Sequence, residues 1–518
     1  MFPMSGEQPE NPQLHHLLGR AARAFGDRDA IRSGDDAWTF AELDALSSAL
    51  ARHLLDAGVG ARDRVALMST NRVEFVVAVN AVSKVGAAVV LLSPAWKATE
   101  VDHALALTNP VHALADGPAV ELLATRLGGD RVSDLDGPAS VTALVTGDTT
   151  PIDDPGIDDA ADAVLVFSSG TTGLPKAVRH THRSLGHGTR HWTAALGLGP
   201  DDRLQVATPP SHILGLLNLL TAADAGVTVR LHPRFDLDEV LGRIESDRIT
   251  IEMAVAPIAL AMANHPDLER FDLSSLRYIM WGATPVSEAV ARRVTERTGV
   301  PFLAAYGASE LPVIAANLVD DPASWRLDSA GVPPAEVELR VADLDSGRVL
   351  EPGDALEPGG IGEIQARSPS VMAGYLPDDS NADAFADGWY RTGDVGWIEP
   401  HGWVHLTDRS KEMIKVNGFQ VAPAEVEAVL HGHAAVLDCA VFGIEDERAG
   451  EVPVAAVQLD PARPVESGEL QALVADQLAT YKQLRHVVVV ESIPRLPSGK
   501  VLRRVLRDEY SPNLVARP

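Results

Sequence analysis

Short β-branched runs alternate with amphipathic stretches through more than half of this chain, and that alternation restricts its fold more than any other feature. Thr39 opens a segment in which Leu43, Leu46, Leu50 and Leu54 recur at three- and four-residue spacing before Gly58, the pattern of a capped helix with one buried stripe. Val65–Met68 reads as a strand, Asn71 stands where it can cap the next helix, and Val89–Leu92 reads as the following strand. Further strands are expected near Val164–Phe167, Leu204–Ala207, Val227–Leu231, Ile251–Val255 and Tyr278–Trp281. Strands separated by helices imply a mainly parallel sheet covered on both faces. After about residue 330 the texture changes. Gly, Pro and Asp become frequent between short β-branched runs, as in a small antiparallel or barrel-like unit, and strand–helix alternation resumes from Ser410. The expected class is α/β: a large amino-terminal domain over 1–409 containing a β-rich subdomain at 330–409, then a small α+β domain over 410–518.

A chain of 518 residues needs at least two hydrophobic cores, and 46% hydrophobic with 22% charged residues is ordinary globular composition. The net charge of −28 repels phosphate backbones, so nucleic acid is not an expected partner, and any anionic ligand needs a locally positive site. The single cysteine, Cys439, excludes an internal disulfide and a cysteine-rich metal centre. It sits in the apolar run Leu437–Phe442, where a buried structural thiol is expected. Met1–Glu10 lacks the basic flank and apolar core of a secretion signal. Val206–Ala223 carries Pro209, Pro210, His212 and Asn218, which argues against a membrane span. A cytoplasmic location is expected.

The most specific segment is Ser168-Ser169-Gly170-Thr171-Thr172-Gly173-Leu174-Pro175-Lys176, directly after an apolar strand. Two glycines let backbone N–H groups approach an anion, four hydroxyls add donors, and Lys176 adds positive charge. It is not a Walker loop, because Pro175 precedes the lysine and Ala177 follows it.

This string resembles the nucleotide loop of the adenylate-forming superfamily, which includes acyl-CoA synthetases, 4-coumarate–CoA ligases, luciferases and peptide-synthetase adenylation domains. The other signatures follow in order. Tyr306-Gly307-Ala308-Ser309-Glu310 is similar to the family's Tyr-Gly-x-Thr-Glu, and Tyr390–Asp394 to its Thr-Gly-Asp turn. Asp408–Glu412 and Lys415–Gln420 resemble the hinge and the start of the mobile domain, and Pro497-Ser498-Gly499-Lys500 the C-terminal lysine loop. The likeness runs from about Asp27 to Arg504 and is greatest to stand-alone acyl-CoA synthetases.

The resemblance implies a ligase that turns a carboxylate into an acyl adenylate with ATP and Mg²⁺, then into a thioester with coenzyme A. The first step gathers negative charge from carboxylate and triphosphate, so placed cations and N–H donors carry it. By the same resemblance Ser168, Ser169, Gly170, Thr171, Thr172, Gly173 and Lys176 hold the phosphates, and Thr172 and Glu310 place the metal. Tyr306 stacks on adenine beside Gly282, Ala283, Gly307 and Ser309, while Asp394 and Arg409 take the ribose. Lys500 bridges carboxylate and α-phosphate. The carboxy-terminal domain swings about Lys411 to present Lys415, Gly418 and Gln420 to the pantetheine arm. His212, Trp281, Gly282 and Gly307 border the acyl group, His212 as its gate.

Three departures from the family pattern stand out. Ala177 replaces a usual glycine, which could block phosphate approach or cost about 1–2 kcal/mol in a left-handed conformation. Ser309 replaces threonine but keeps the hydroxyl. Trp281 replaces a small residue and could reshape the acyl pocket or merely pack beside it. Ala177 opens an alternative in which only the thioester step survives, an upstream enzyme supplying the adenylate. A non-catalytic acyl-nucleotide binder is a second alternative, opposed by the retention of Glu310, Asp394, Arg409 and Lys500. Pro210–Gly215 contains no Asp to pair an α-ammonium, which disfavours amino acids, and any carrier-protein acceptor would be a separate chain. His180, His182, His187 and His191 cluster, and His187 with His191 has the i, i+4 spacing of a metal pair. No carboxylate or cysteine accompanies them in sequence, so they read as helix and turn residues and zinc is not expected.

Overall fold

The computed structural model describes residues 13–168, 175–284, 287–344, 346–350, 360–409, 411–417, 419–446, 448–496 and 499–514. The capping signal at Thr39 is realised in full. Its side chain accepts from the Glu42 backbone while Glu42 reaches back to the Thr39 N–H, starting the helix Phe40–Asp56. Asn71 does not cap the next helix, Val73–Lys84. Its side-chain amide donates instead to the Val206 and Thr208 carbonyls, tying that helix to a distant strand.

Among the described residues, two extended sheets form the amino-terminal body. The first runs in spatial order Gly374–Leu376, Lys176–Thr181, Asp162–Ser168, Ala88–Leu91, Arg64–Met68, His112–Ala115, Val132–Asp134. It is parallel apart from the antiparallel edge made by Lys176–Thr181 and Gly374–Leu376. The second runs Ala315–Ala316, Phe302–Tyr306, Tyr278–Trp281, Ile251–Ala254, Arg203–Val206, Thr228–Leu231, Asp29–Ser33, Asp36–Thr39, and is parallel through its centre. The expected strands lie within a residue or two of those observed.

Five layers result. Helices Leu14–Phe25, Phe40–Asp56, Val73–Lys84, His182–Ala195 and Ile213–Ala225 contribute to one core with the inner faces of both sheets, for example Val65, Leu67 and Val164 from the first and Leu204, Met253 and Met280 from the second. Ala98–Thr108 and Pro118–Leu127 cover the outer face of the first sheet. Leu237–Asp247, Ala256–Asn264 and Glu288–Thr298 cover that of the second. This is the doubly covered parallel arrangement the alternation implies.

A third, antiparallel sheet contains Val349–Leu350, Glu338–Ala342, Gly362–Arg367, Trp389–Ile398 and Phe385–Ala386, with Val404–Arg409 paired to Trp389–Ile398. A fourth sheet, Phe419–Val421, Ile414–Val416, Gly450–Leu459, Val436–Asp446 and His486–Val489, has apolar clusters on both faces under Pro423–His431, Ser467–Gln477 and Arg503–Leu514. Cys439 is buried in one of these clusters, and burial pushes its thiol up, so it is inert as a nucleophile. Among the described residues no helix is long and apolar enough to cross a membrane.

Candidate active site

The cleft lies where the central strands of the second sheet end at their carboxyl termini, beside the hairpin of the first sheet, the usual place for ligands in open parallel sheets. Ser168 and Lys176 are register partners across that hairpin. Ser169, Gly170, Thr171, Thr172 and Gly173 lie outside the described residues.

Lys176 Nζ stands 5.1 Å from the centroid of the Tyr375 ring, and the Tyr375 hydroxyl donates to Glu310 Oε1 at 2.7 Å. Glu310 is 7% exposed, and its segment is pinned by the Met372 N–H on its carbonyl and by His180 on the Ser309 carbonyl. The turn leading to it requires glycine at position 307, because a Cβ there would lie 2.0 Å from the Pro312 carbonyl oxygen.

Tyr306 ends its strand with its hydroxyl donating to Asp394 Oδ2, while Arg409 Nε donates to Asp394 Oδ1 at 2.8 Å. Asp394 and Arg409 are register partners on neighbouring strands, so the ion pair is built into the third sheet. Thr392 stiffens this turn, donating to the Ile364 carbonyl and accepting from the Asp394 N–H. The Asp394 carboxylate pushes the Arg409 pKa up, keeping the guanidinium charged, and burial pushes the Tyr306 hydroxyl up, keeping it a donor. Arg409 and the buried Tyr390 both lie within electrostatic reach of Glu310 as well as of Asp394, so the two carboxylates belong to one cluster.

Beside it, a recess is lined by Thr208, Pro209, His212, Leu214, Val255 and Ala283. His212 is the N-cap residue of the helix Ile213–Ala225, and burial pushes its imidazole down to about 4, so it is neutral at physiological pH. Gly282 donates its N–H to the Ala254 carbonyl, and Ala283 adopts φ +64°, a left-handed conformation that costs a side-chain-bearing residue about 1–2 kcal/mol. Trp281 does not line this recess. Its indole sits on the opposite face of the strand, packed with Val290 and Phe302, and donates from Nε1 to Thr284 Oγ1 at 3.0 Å. The same hydroxyl accepts from the Ala256 N–H. Of the two expectations for Trp281, packing beside the pocket is the observed one.

Ala177 occupies an ordinary ladder position between Phe167 and Leu376, outside the left-handed region, with its methyl fully buried among Leu165, Ala66 and Met68. The methyl points into the core rather than the loop. Neither cost foreseen for this residue is incurred, which removes the reason for supposing that adenylation is lost.

The lysine loop is docked against the amino-terminal body. At Gly499, with φ +86°, an added Cβ would lie 2.8 Å from Pro257 Cδ and 3.5 Å from Thr284, so only glycine allows this approach. Arg495 holds the loop through the Gly499 carbonyl and the Asp438 carboxylate. Lys500 Nζ is 3.9 Å from Glu412 and within electrostatic reach of Arg409 and Asp394. Burial, reinforced by Arg409, pushes its pKa down. Asn264 and Arg293 add hydrogen bonds to the Leu437 and His431 carbonyls across the same interface.

Lys411, Lys415 and Gln420 are exposed, the last two as register partners on one hairpin, and are not at the cleft. Gly418, Pro497 and Ser498 lie outside the described residues. Sequence reasoning overlooked Tyr375 and Thr284, which touch Glu310 and the docked loop. Neither carries a local signal, because Tyr375 reaches the site on an edge strand added by sheet topology alone.

Residues 18–376 match the family described as AMP-binding enzyme, and residues 425–500 match the AMP-binding enzyme C-terminal domain. Similar curated proteins include 4-coumarate–CoA ligase 5 of Oryza sativa subsp. japonica, 34% identical over 98% of this chain and 96% of that protein. Feruloyl-CoA synthase of Amycolatopsis sp is 34% identical over 95% of this chain and 98% of its own length. Among solved structures, ATP-bound MatB from Rhodopseudomonas palustris superposes with a TM-score of 0.88 at 27% identity, covering 97% of this chain and 100% of that one. The chain belongs to the AMP-binding enzyme family. Within it, this is an acyl-CoA ligase that works through an acyl adenylate, taking a carboxylic acid, ATP with Mg²⁺, and coenzyme A.

Proposed function

We propose that the acid is a monocarboxylate with an uncharged, apolar tail, phenylpropenoic acids being the reference class. The recess carries this reading: its lining of Thr208, Pro209, His212, Leu214, Val255 and Ala283 offers no charged group for a second carboxylate or an ammonium. Its support from relatives is that 4-coumarate and feruloyl are the acyl groups in their names.

The residues divide the work as follows. Lys176, with the turn before it, holds the terminal phosphates, and Thr171 and Thr172 supply hydroxyl donors. Glu310, a nearly buried carboxylate steadied on one oxygen by Tyr375, is the hard oxygen ligand that Mg²⁺ prefers beside substrate phosphates, with Thr172 as its companion. When bound, Mg²⁺ neutralises charge on the departing pyrophosphate. Tyr306 faces adenine, Asp394 retains acceptor capacity for the ribose hydroxyls beyond its two present partners, and Arg409 fixes its orientation. Lys500 stabilises charge as the carboxylate oxygen attacks the α-phosphorus. His212, neutral, closes the recess over the acyl tail.

Residues 1–409 and 410–518 act as two bodies pivoting at Lys411. The pose described here serves adenylation, since Lys500 is at the cleft and Lys415, Gln420 and Gly418 belong to the other. Rotation exchanges Lys500 for that hairpin, and the thiolate of coenzyme A attacks the acyl carbon with AMP leaving.

A panel of 4-coumarate, ferulate, benzoate, octanoate, malonate and an amino acid, assayed for AMP and thioester formation, tests the substrate class. Apolar-tailed acids should exceed malonate and the amino acid in kcat/KM by at least about tenfold. Equal or better turnover of malonate or the amino acid would overturn the proposal.

A further inference from the structure

The helix His182–Ala195 carries His187 and His191 one turn apart, and the fold brings to them a carboxylate from 149 residues away. Glu336 Oε2 lies 3.3 Å from His187 Nδ1 and 3.6 Å from His191 Nε2, and all three ligand atoms fall within 4.8 Å of one another. The sequence expectation against zinc rested on the lack of such a carboxylate, and the fold supplies one from outside the local sequence. Ligands about 2.1 Å from a tetrahedral ion stand about 3.4 Å apart, close to both measured separations.

Three further observations point the same way. His191 is 5% exposed, and its Nε2 is buried, facing Glu336 with no hydrogen-bond partner. Its other nitrogen meets Ser370 Oγ at 3.3 Å, and Ser370 meets Ser368 at 2.9 Å; that hydroxyl can accept from Nδ1–H, the tautomer that leaves Nε2 free to bind a metal. With the proton on Nδ1, Nε2 and the carboxylate confront each other as two acceptors, an arrangement that calls for a cation between them. Glu336 is also held at φ +65°, a left-handed conformation unusual for a glutamate.

We propose that His187, His191 and Glu336 bind one first-row divalent transition-metal ion, zinc being the reference ion, with a fourth position open to solvent through the exposed side of Glu336. Two imidazoles and one carboxylate suit zinc and not magnesium, so this site is separate from the Mg²⁺ that accompanies the nucleotide. The ion would staple the helix His182–Ala195 to the segment leading into the strand Glu338–Ala342, beside the turn at Ser370 that follows the strand Gly362–Arg367. Arg190 at present donates to His187 Nδ1 at 2.9 Å and acts as a competing cation. Asp224, within reach of its charge, can take the guanidinium when the ion enters.

The test uses full-length, untagged, chelator-treated protein titrated calorimetrically with zinc in millimolar Mg²⁺ and no substrate, so it is independent of which acid the enzyme takes. One equivalent should bind with Kd of about 10 μM or below. His191→Ala and Glu336→Gln should each weaken it at least about tenfold, Arg190→Gln should tighten it, and His16→Ala, in the separate His15–His16–Asp154 group, should leave it unchanged. Cobalt added to the unmutated protein should give visible bands of a four- or five-coordinate nitrogen–oxygen site, a readout that no variant's folding affects. Absence of binding tighter than about 100 μM, affinity unchanged in both His191→Ala and Glu336→Gln, or loss of the site in His16→Ala would overturn the proposal.

Discussion

Under the proposed pivot between two poses, Asp408 should make their balance sensitive to acid. In the docked pose its carboxyl is packed against the carboxy-terminal body, where Oδ2 accepts from the Ala424 N–H at 3.0 Å and Arg503 and Glu427 lie within electrostatic reach. Burial pushes its pKa up to about 6, a rise that Glu427 reinforces and Arg503 opposes. Asp408 belongs to the strand Val404–Arg409, so rotation of the following domain strips away those partners and returns the carboxyl to water, with an ordinary pKa of about 3.9. The docked pose therefore binds the proton more tightly, and lowering the pH favours it. Above pH 6 the buried carboxylate is charged and that advantage is gone. Between pH 7 and pH 5 the ratio of docked to rotated enzyme should rise about tenfold, equivalent to about 1.4 kcal/mol. Energy transfer between dyes on the two bodies, attached through introduced surface cysteines, reads this ratio directly, since native Cys439 is buried. Asp408→Asn should abolish the dependence. A flat population ratio in the unmutated enzyme over that range, or the same slope in Asp408→Asn, would refute the reasoning.

Lys500→Ala should slow adenylation about 10²–10³-fold, measured by pyrophosphate exchange, while thioester formation from pre-formed adenylate stays within about threefold of normal. Tyr375→Phe removes one hydrogen bond to Glu310 and should lower kcat/KM for MgATP about tenfold, with little change in KM for coenzyme A in steady-state assays. Ala177→Gly should leave adenylation unchanged and reduce stability by about 0.5–1 kcal/mol in urea unfolding, because it adds backbone freedom to a strand and empties a methyl site in the core.

What the sequence revealed and what it hid divide along physical lines. The Thr39–Glu42 cap was legible because both partners lie within one turn. Seven strands of the two sheets were legible because short β-branched runs between turn residues have few other uses, whereas others, such as His112–Ala115 and Asp36–Thr39, lack such a run. The motif order revealed the family, because several short signatures in one fixed order have no other common source. Asn71 misled because a tertiary partner, the edge of Val206–Thr208, outcompeted the local helix end. The orientation of Trp281 was not readable either, since its strand is buried on both faces and alternation cannot tell one layer from the other. Tyr375 and Glu336 were invisible for a third reason. Each acts across a large sequence separation, on elements whose meeting depends on how the third sheet leans against the first.

Arg409 clamps Asp394 from the last position of its strand. Grip and proposed pivot, Lys411, thus stand two residues apart in the chain. Under the proposed pivot, a change in what Asp394 holds is passed to the joint over two peptide units. The turnover clock can accordingly be wired to nucleotide occupancy without any longer relay through the protein interior.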